Sequence, residues 1–455
     1  MRITRAATGG IDARRMRFRL PTTATAPFCP SEVRGSVAFD PGLSTWRKLL
    51  RMAGPGLLVS VGYMDPGNWA TDIEAGSRFG YDLLFVVICC SEAAMVLQTF
   101  SLRLGIVAGK DLAQVSSEQY PKPIARIQWL LAELSIIACD LAEVLGCALA
   151  FHLLLGVSLP TGVGLTALDT IIVLGLKGKN FRDLEAIMLG LIVTIGLCFL
   201  IELILVGPDW SRIVAGSIPS WEVLKDRDAL YLAVGVMGAT VMPHNLYLHS
   251  SIVQTRVVGE SDRSKREAIG WSRLDTIVSL TFAMLINAAI MILAAAAFHD
   301  TGLRNVADIE DAHELLAPIV GTGAASVLFA IALLASGQSS TFTGTIAGQI
   351  IMEGFLKLKI PCYQRRLITR GLALIPAFIG VSTMGENAVG RLLVMTQVVL
   401  SLQLPFALYP LLRFTSSREI MGVHATRLPM QLVGWSLFAL ITAANLWLLL
   451  RLVSG

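Results

Sequence analysis

Asp65-Pro66-Gly67-Asn68 and Met242-Pro243-His244-Asn245 each interrupt a long apolar run, and the two strings align residue for residue as X-Pro-X-Asn. A proline in the middle of a membrane helix removes a backbone donor and clashes with the preceding turn, so the carbonyls it frees need another partner. A desolvated cation can be that partner. Asp65, Asn68 and Met242 add a charged oxygen, a neutral oxygen and a soft sulfur near one depth, a set suited to a divalent transition metal.

The composition agrees with a membrane setting. The chain has 455 residues, 54% of them hydrophobic and 15% charged, with a mean hydropathy of +0.66; soluble domains carry about a quarter charged residues. An all-α polytopic membrane protein is expected. Cys29, Cys89, Cys90, Cys139, Cys147, Cys198 and Cys362 are odd in number and fall mostly in apolar runs. No Cys-x-x-Cys spacing occurs, so neither a disulfide framework nor a structural zinc is expected. The net charge of +4 gives no reason to expect nucleic-acid binding.

A spanning helix needs roughly 20 apolar residues, and by that length about eleven segments qualify. They cover 53–76, 81–104, 127–155, 160–176, 184–206, 230–253, 274–298, 317–341 with a polar-interrupted continuation, 367–384, 390–412 and 429–451. Lys and Arg concentrate in alternate loops: Arg47, Lys48 and Arg51; Lys110, Lys122 and Arg126; Lys177, Lys179 and Arg182; Arg263, Lys265 and Arg266; Arg365, Arg366 and Arg370; Arg413, Arg418 and Arg427. The opposite loops are acidic or balanced, most clearly between His299 and Glu314. The basic loops predict a cytoplasmic N-terminus and, with an odd number of spans, an external C-terminus.

Residues 1–45 carry Arg2, Arg5, Arg14, Arg15, Arg17 and Arg19 with few acids and no apolar signal core, and are expected to be a disordered basic tail. The transporter domain would occupy 46–455. Five spans followed by five more must lie in opposite senses across the membrane, so repeats at about 46–206 and 225–412 would be inverted, with an extra helix at about 429–451. Asp65 and Met242 then hold equivalent places in the first helix of each repeat.

An ionised Asp in the bilayer centre costs about 3 kcal/mol or more and needs a counter-charge or a water-filled cavity. Asp-Pro-Gly is also common turn chemistry, but the apolar flanks of Asp65 are each too short to span alone. A lone membrane methionine is usually core filling; the matched proline string gives Met242 another reading. A thioether suits Mn²⁺, Fe²⁺, Co²⁺ or Cd²⁺ better than Mg²⁺ or Ca²⁺. Carbonyls near Gly62 and Ala239, and Gln397 from the tenth span, could complete the ligand set. His244 reads as a proton carrier, and His249 as either another carrier or a satisfied interior histidine. In the third span Asp140 and Glu143 share a helix face; partners among Arg365, Arg366 and Arg370 would make that face either a salt-bridge network or a proton exit route from Asp65. Glu92, Asp169 and Glu202 receive no role. The spacing of His244 and His249 turns the second about 140° from the first, and no His-Glu-x-x-His string supports a metalloprotease.

Asp65-Pro66-Gly67-Asn68-Trp69-Ala70-Thr71-Asp72 and Met242-Pro243-His244-Asn245-Leu246-Tyr247-Leu248-His249-Ser250 resemble the paired hallmark of the Nramp family of proton-coupled divalent-metal transporters, in its bacterial manganese branch. The resemblance runs from about Pro55 to the end. It implies the leucine-transporter type of 5+5 inverted repeat with broken helices 1 and 6. It also implies metal bound by Asp65, Asn68, Met242 and the Ala239 carbonyl, with Gln397 joining in some states. His244, Asp140 and Glu143 would correspond to proton-pathway residues, and Gln98 and Asn287 to polar positions lining the external vestibule. Magnesium-transporting relatives lack the methionine, so its presence argues for Mn²⁺ or Fe²⁺. The expectation is therefore a non-enzymatic, proton-coupled importer of Mn²⁺, with Fe²⁺ as a second candidate. It would be a monomer in a bacterial inner membrane, with metal ion, protons and lipid as its partners and no cofactor beyond the cargo. A cation channel and a sodium-coupled amino-acid transporter of similar fold are the alternatives.

Overall fold

The computed structural model describes residues 34–38, 44–175, 181–357, 362–384 and 388–454. Most of the expected basic tail lies outside these residues. Its end takes a defined place: β1 (Val37–Ala38) pairs in parallel with β2 (Arg256–Val257), and Arg34 Nη2 donates to Gln114 Oε1 at 3.1 Å.

The two proline strings break helices as the backbone chemistry requires. After the short α1 (Thr45–Met52), the first broken span runs as α2 (Pro55–Val61), a 3₁₀ turn at Gly62–Met64, an extended Asp65, and α3 (Pro66–Phe79). Asp65 caps α3, its side chain accepting from the Asn68 N–H at 2.9 Å, and Pro66 takes the first helical position, where a missing N–H is no loss. The first repeat continues with α4 (Leu84–Ala108), the short α5 (Leu112–Gln119), α6 (Lys122–Leu155), α7 (Leu159–Gly175) and α8 (Phe181–Val206). A connection bearing α9 (Trp210–Gly216) leads to the second broken span, in which α10 (Arg227–Thr240) and α11 (Pro243–Ile252) flank the non-helical Val241 and Met242. Then come α12 (Asp262–Ala294), running on into a π-helical turn to His299, α13 (Ile309–Val320), α14 (Gly323–Leu356), α15 (Cys362–Met384) and α16 (Ala388–Ser416). The one-turn α17 (Arg418–Met421) and α18 (Leu428–Ser454) complete the chain.

Among the described residues eight stretches are long and apolar enough to cross a membrane unaided. The first broken span, α7 and α15 bring the total to the eleven expected, arranged as a 5+5 inverted repeat plus α18. Several helices start before the expected spans, α12 at Asp262 rather than 274 among them, and one expected span crosses a break. The eighth span was expected from 317, but α13 ends at Val320 on a left-handed Gly321 (φ 78°), and Thr322 caps a separate α14. The apolar residues before Gly321 belong to a helix with an acidic first turn, Glu310 and Asp311, not to the span.

The broken spans sit inside a shell made by the other helices. Trp69 on α3 is fully buried between Phe199 of α8 and Phe329 of α14, with ring centroids 4.9 and 5.3 Å away. Small residues let backbones meet at the crossings: a Cβ on Gly56 of α2 would stand 2.7 Å from the Thr276 nitrogen of α12. One end of α2 is tied down by charge. Asp275 of α12 accepts from the Gly54 and Gly56 N–H groups at 3.2 and 2.7 Å. Arg256 donates to Glu185 of α8 at 2.7 Å and to the Ala53 carbonyl at 2.5 Å, and Arg182 bonds the other Glu185 oxygen at 2.9 Å. At the opposite end Arg78 of α3 links Glu74 and Asp228 at 3.1 and 3.0 Å, joining α3 to α10.

Candidate functional site

At the first break the amide of Asn68 is oriented by its neighbours. Its Nδ2 donates to the Tyr63 carbonyl at 2.5 Å, which leaves Oδ1 buried and without a hydrogen-bond partner. Asp65 divides its carboxylate the same way: Oδ1 caps α3 and Oδ2 is buried and unpartnered. Gln397 of α16 lies against the turn, so close that a Cβ on Gly67 would overlap its amide, and its Oε1 is also buried and unpartnered. Met242, at the second break, is fully buried, as is Ala239 one turn before it. The two breaks face each other, because a Cβ on Gly62 would stand 2.5 Å from the Asn245 amide in the first turn of α11.

This arrangement leaves two unsatisfied oxygens, Asp65 Oδ2 and Asn68 Oδ1, closed off from solvent beside the Gln397 amide. Asp65, Asn68 and Gln397 are at most 2% exposed. An unsatisfied buried oxygen is costly, and two at one turn suit a ligand that accepts oxygen donors. Among the described residues no group of three or more His, Cys, Asp and Glu side chains is placed to hold a metal. The carbonyls of Tyr63 and Met64 are not open to a cation: Asn68 and Asn287 donate to the first, at 2.5 and 2.8 Å, and Trp69 and Ser336 to the second.

A polar thread leads away from the second break. His244 Nε2 lies 3.7 Å from Cys139 Sγ of α6, and the same sulfur lies 3.4 Å from Glu143 Oε1. Asp140 and Glu143 both face Gly344 of α14, where a Cβ would stand 3.2 and 2.8 Å from their oxygens. Arg370 of α15 is buried, donates to the Thr166 carbonyl at 3.4 Å, and is close enough to act on the Glu143 charge. The side chains of Arg365 and Arg366 lie outside the described residues. Cys139 was not assigned a role from sequence, where a cysteine in an apolar helix reads as a small hydrophobe.

His249 is held at both ring nitrogens, by Gln98 Oε1 at 2.9 Å and Thr276 Oγ1 at 3.4 Å. Both nitrogens are thus hydrogen-bonded, a geometry that serves a satisfied interior histidine and a proton carrier alike. Gln98 also donates to the Tyr63 hydroxyl at 2.8 Å, and Asn287 to the Tyr63 carbonyl. Both expected vestibule residues are therefore buried around Tyr63, which the sequence did not single out.

Two helices broken at matched prolines, inside an inverted repeat of apolar spans, define a multi-pass membrane protein of the leucine-transporter architecture. Comparison with known proteins narrows the class. The family described as Natural resistance-associated macrophage protein-like, Nramp, matches residues 56–451. The chain is 68% identical over 436 residues to a divalent metal cation transporter MntH of Ralstonia nicotianae, covering 96% of this chain and 99% of that protein. It is 66% identical over 434 residues to MntH 1 of Pseudomonas aeruginosa, covering 95% and 99%. The crystal structure of an Eremococcus coleocola manganese transporter superposes with a TM-score of 0.87 at 38% identity, over 92% of this chain and 90% of that one. Mhp1, a nucleobase-cation-symport-1 family transporter, shares the fold alone, with a TM-score of 0.58 at 14% identity. The chain belongs to the Nramp family.

Proposed function

We propose that this protein carries Mn²⁺, with Fe²⁺ as a second cargo, into the cell together with protons, by alternating access of a site between its two broken helices. The observation that carries the reading is the pair of buried, unpartnered oxygens at the first break, Asp65 Oδ2 and Asn68 Oδ1, with the Gln397 amide packed against the same turn and the break that holds Met242 facing it. The names of its relatives, divalent metal cation transporters and a manganese transporter, support the same cargo.

In this reading Asp65 supplies the negative charge that offsets the cost of dehydrating a divalent ion. Asn68 and Gln397 supply neutral oxygens, the Ala239 carbonyl a further one, and the Met242 thioether disfavours Mg²⁺ and Ca²⁺, which prefer oxygen. Protons would pass between Asp65 and His244 and leave along Cys139, Glu143 and Asp140 toward Arg370. The ion pairs at the two ends of the broken spans, Arg256–Glu185 and Arg78–Asp228, would open in alternation, and Gln98 and Asn287 would line the external approach once Tyr63 moves. The transporter domain would span 46–455, as a monomer in a bacterial inner membrane with its N-terminus cytoplasmic. A channel would want rings of carboxylates about a shared axis, and a carrier of amino acids would have no use for a carboxylate at Asp65.

The test is uptake into proteoliposomes, following Mn²⁺ entry and internal pH together, with Ca²⁺ and Mg²⁺ as competitors. Saturable Mn²⁺ entry with acidification and no Ca²⁺ competition is expected. Metal entry without proton movement would remove the proton route, and no metal entry would overturn the cargo.

A further inference from the structure

The loop between α16 and α18 encloses an open pocket of about 760 Å³, remote from the broken helices. Ser416, Arg418, Thr426, Arg427, Leu428 and Gln431 contribute to its walls. Arg418 and Arg427 are exposed, and neither guanidinium has a hydrogen-bond or ion-pair partner among the described residues. Thr426 differs from a surface hydroxyl. It is only 4% exposed, its N–H is used by the Thr415 carbonyl at 2.9 Å and its carbonyl by Gln431 Nε2 at 2.6 Å, yet its Oγ1 is buried with no partner. The Ser416 hydroxyl is unpartnered as well.

The charge around the pocket is one-sided. Behind its wall Arg103 of α4 donates to the His424 carbonyl at 2.7 Å and lies within electrostatic range of Arg273 and Arg427. Four guanidiniums therefore surround the loop. The facing acids are Glu419 on α17 and Asp262 at the start of α12, and the latter is held by His424 Nε2 at 3.1 Å. The 27-residue α18 adds its positive end at Leu428, which favours an anion at the same mouth. The rim is apolar: Val423 and Leu428, both lining residues, are 76% and 66% exposed, and Leu432 one turn on is 60% exposed. Because α18 is a spanning helix that begins at Leu428, the mouth opens at the boundary between headgroups and hydrocarbon. Guanidinium forks match phosphate oxygens, and an apolar rim beside them gives an acyl chain a surface to follow. A soluble phosphate would gain nothing from that rim.

We propose that this pocket binds the phosphate headgroup of an anionic phospholipid, with Arg418 and Arg427 as its charged clamps and Thr426 as a buried hydrogen-bond donor. Basic pockets between membrane helices are a recurrent setting for such headgroups.

The full-length protein, purified in detergent, would be titrated with phosphatidylglycerol and with phosphatidylcholine of the same acyl chains, and retained lipid counted by native mass spectrometry. Wild type should retain phosphatidylglycerol preferentially, and Arg418→Gln with Arg427→Gln should reduce that preference roughly tenfold or more, in line with the usual contribution of two basic side chains at a charged membrane. The Arg418→Lys, Arg427→Lys pair should keep part of it, and Thr426→Val should lower it without altering charge. Unchanged Mn²⁺ uptake by the glutamine pair would show that it folds. Equal retention of the two lipids, or a preference that survives the glutamine pair, overturns the proposal. Inorganic phosphate binding to wild type without any lipid preference overturns the lipid assignment and leaves a soluble phosphate as the ligand.

Discussion

Cys139 Sγ stands 3.7 Å from His244 Nε2, so a thiol is the contact between the second broken helix and the acidic face of α6. The sulfur also reaches Glu143 at 3.4 Å. If protons use this thread, Cys139→Val, similar in volume but unable to hydrogen bond, should cut proton co-movement several-fold while Mn²⁺ binding persists. Cys139→Ser should retain most of it. Paired recording of internal pH and Mn²⁺ entry checks both; equal loss of the two fluxes in the valine variant would mean that Cys139 is packing alone.

Asp65→Ala should abolish Mn²⁺ uptake and cost about 1 kcal/mol of stability through the lost cap of α3. Asp65→Asn keeps a capping oxygen and removes a buried charge, so it should be as stable as wild type, or more so, while still failing to transport. Thermal unfolding in detergent beside uptake separates the two effects, and wild-type flux in either variant would sink the site.

Met242→Leu conserves volume and should cost less than about 1.5 kcal/mol, yet Ca²⁺ and Mg²⁺ should begin to compete with Mn²⁺. Met242→Ala should show the same loss of selectivity with a larger penalty, about 2–5 kcal/mol. An unchanged competition profile in both would refute the thioether argument.

The Arg256–Glu185 pair is almost wholly buried, at 1% and 5% side-chain exposure. Glu185→Ala would leave the buried Arg256 with only neutral partners, the Arg51 and Ala53 carbonyls and the Thr255 hydroxyl, and should destabilise the fold by up to roughly 3 kcal/mol. Because Arg256 also holds the Ala53 carbonyl just before α2, cysteine labelling at Ser60 should rise in the variant. Unaltered labelling would mean that the pair is not a closure.

Asp111 caps α5 outside the spanning helices, and burial pushes its carboxyl up to about 6. A folded-state value above the unfolded one means that the ionised form is disfavoured by folding. The cost is complete above pH 6, shrinks as pH falls from 6 toward 4, and is gone below. Asp111→Asn, which can still cap, should therefore raise the melting temperature at pH 8, keep only part of that advantage at pH 5, and lose it below pH 4. A difference independent of pH would assign the effect to the cap or to Arg34, 3.7 Å away.

The fold was legible because its signals are long. Runs of apolar residues give every span, and two prolines in matched strings give both breaks. Short-range events were not legible: hydropathy passes over Gly321, whose left-handed turn separates α13 from α14. Asp65 and Asn68 could be proposed from residue type, because each is anomalous in an apolar helix, and Met242 only from the proline string it shares with Asp65. Cys139 and Tyr63 are ordinary membrane residues, and their placement beside His244 and Gln98 follows from helix packing that no single stretch of sequence encodes. The partners of His249, Gln98 and Thr276, come from two other helices and so were not legible either.

The side-chain donors that hold the Tyr63 and Met64 carbonyls bear on the half of the cycle in which nothing is carried. An unwound segment whose backbone relied on the ion would be left with exposed polar groups each time the ion departed, and the protein would wait for a new ion or collapse around the vacancy. Here Asn68, Asn287, Trp69 and Ser336 keep those carbonyls satisfied without cargo. If the protein returns empty as proposed, the first break would act as a permanent joint, and the closures at its ends would set the speed of resetting.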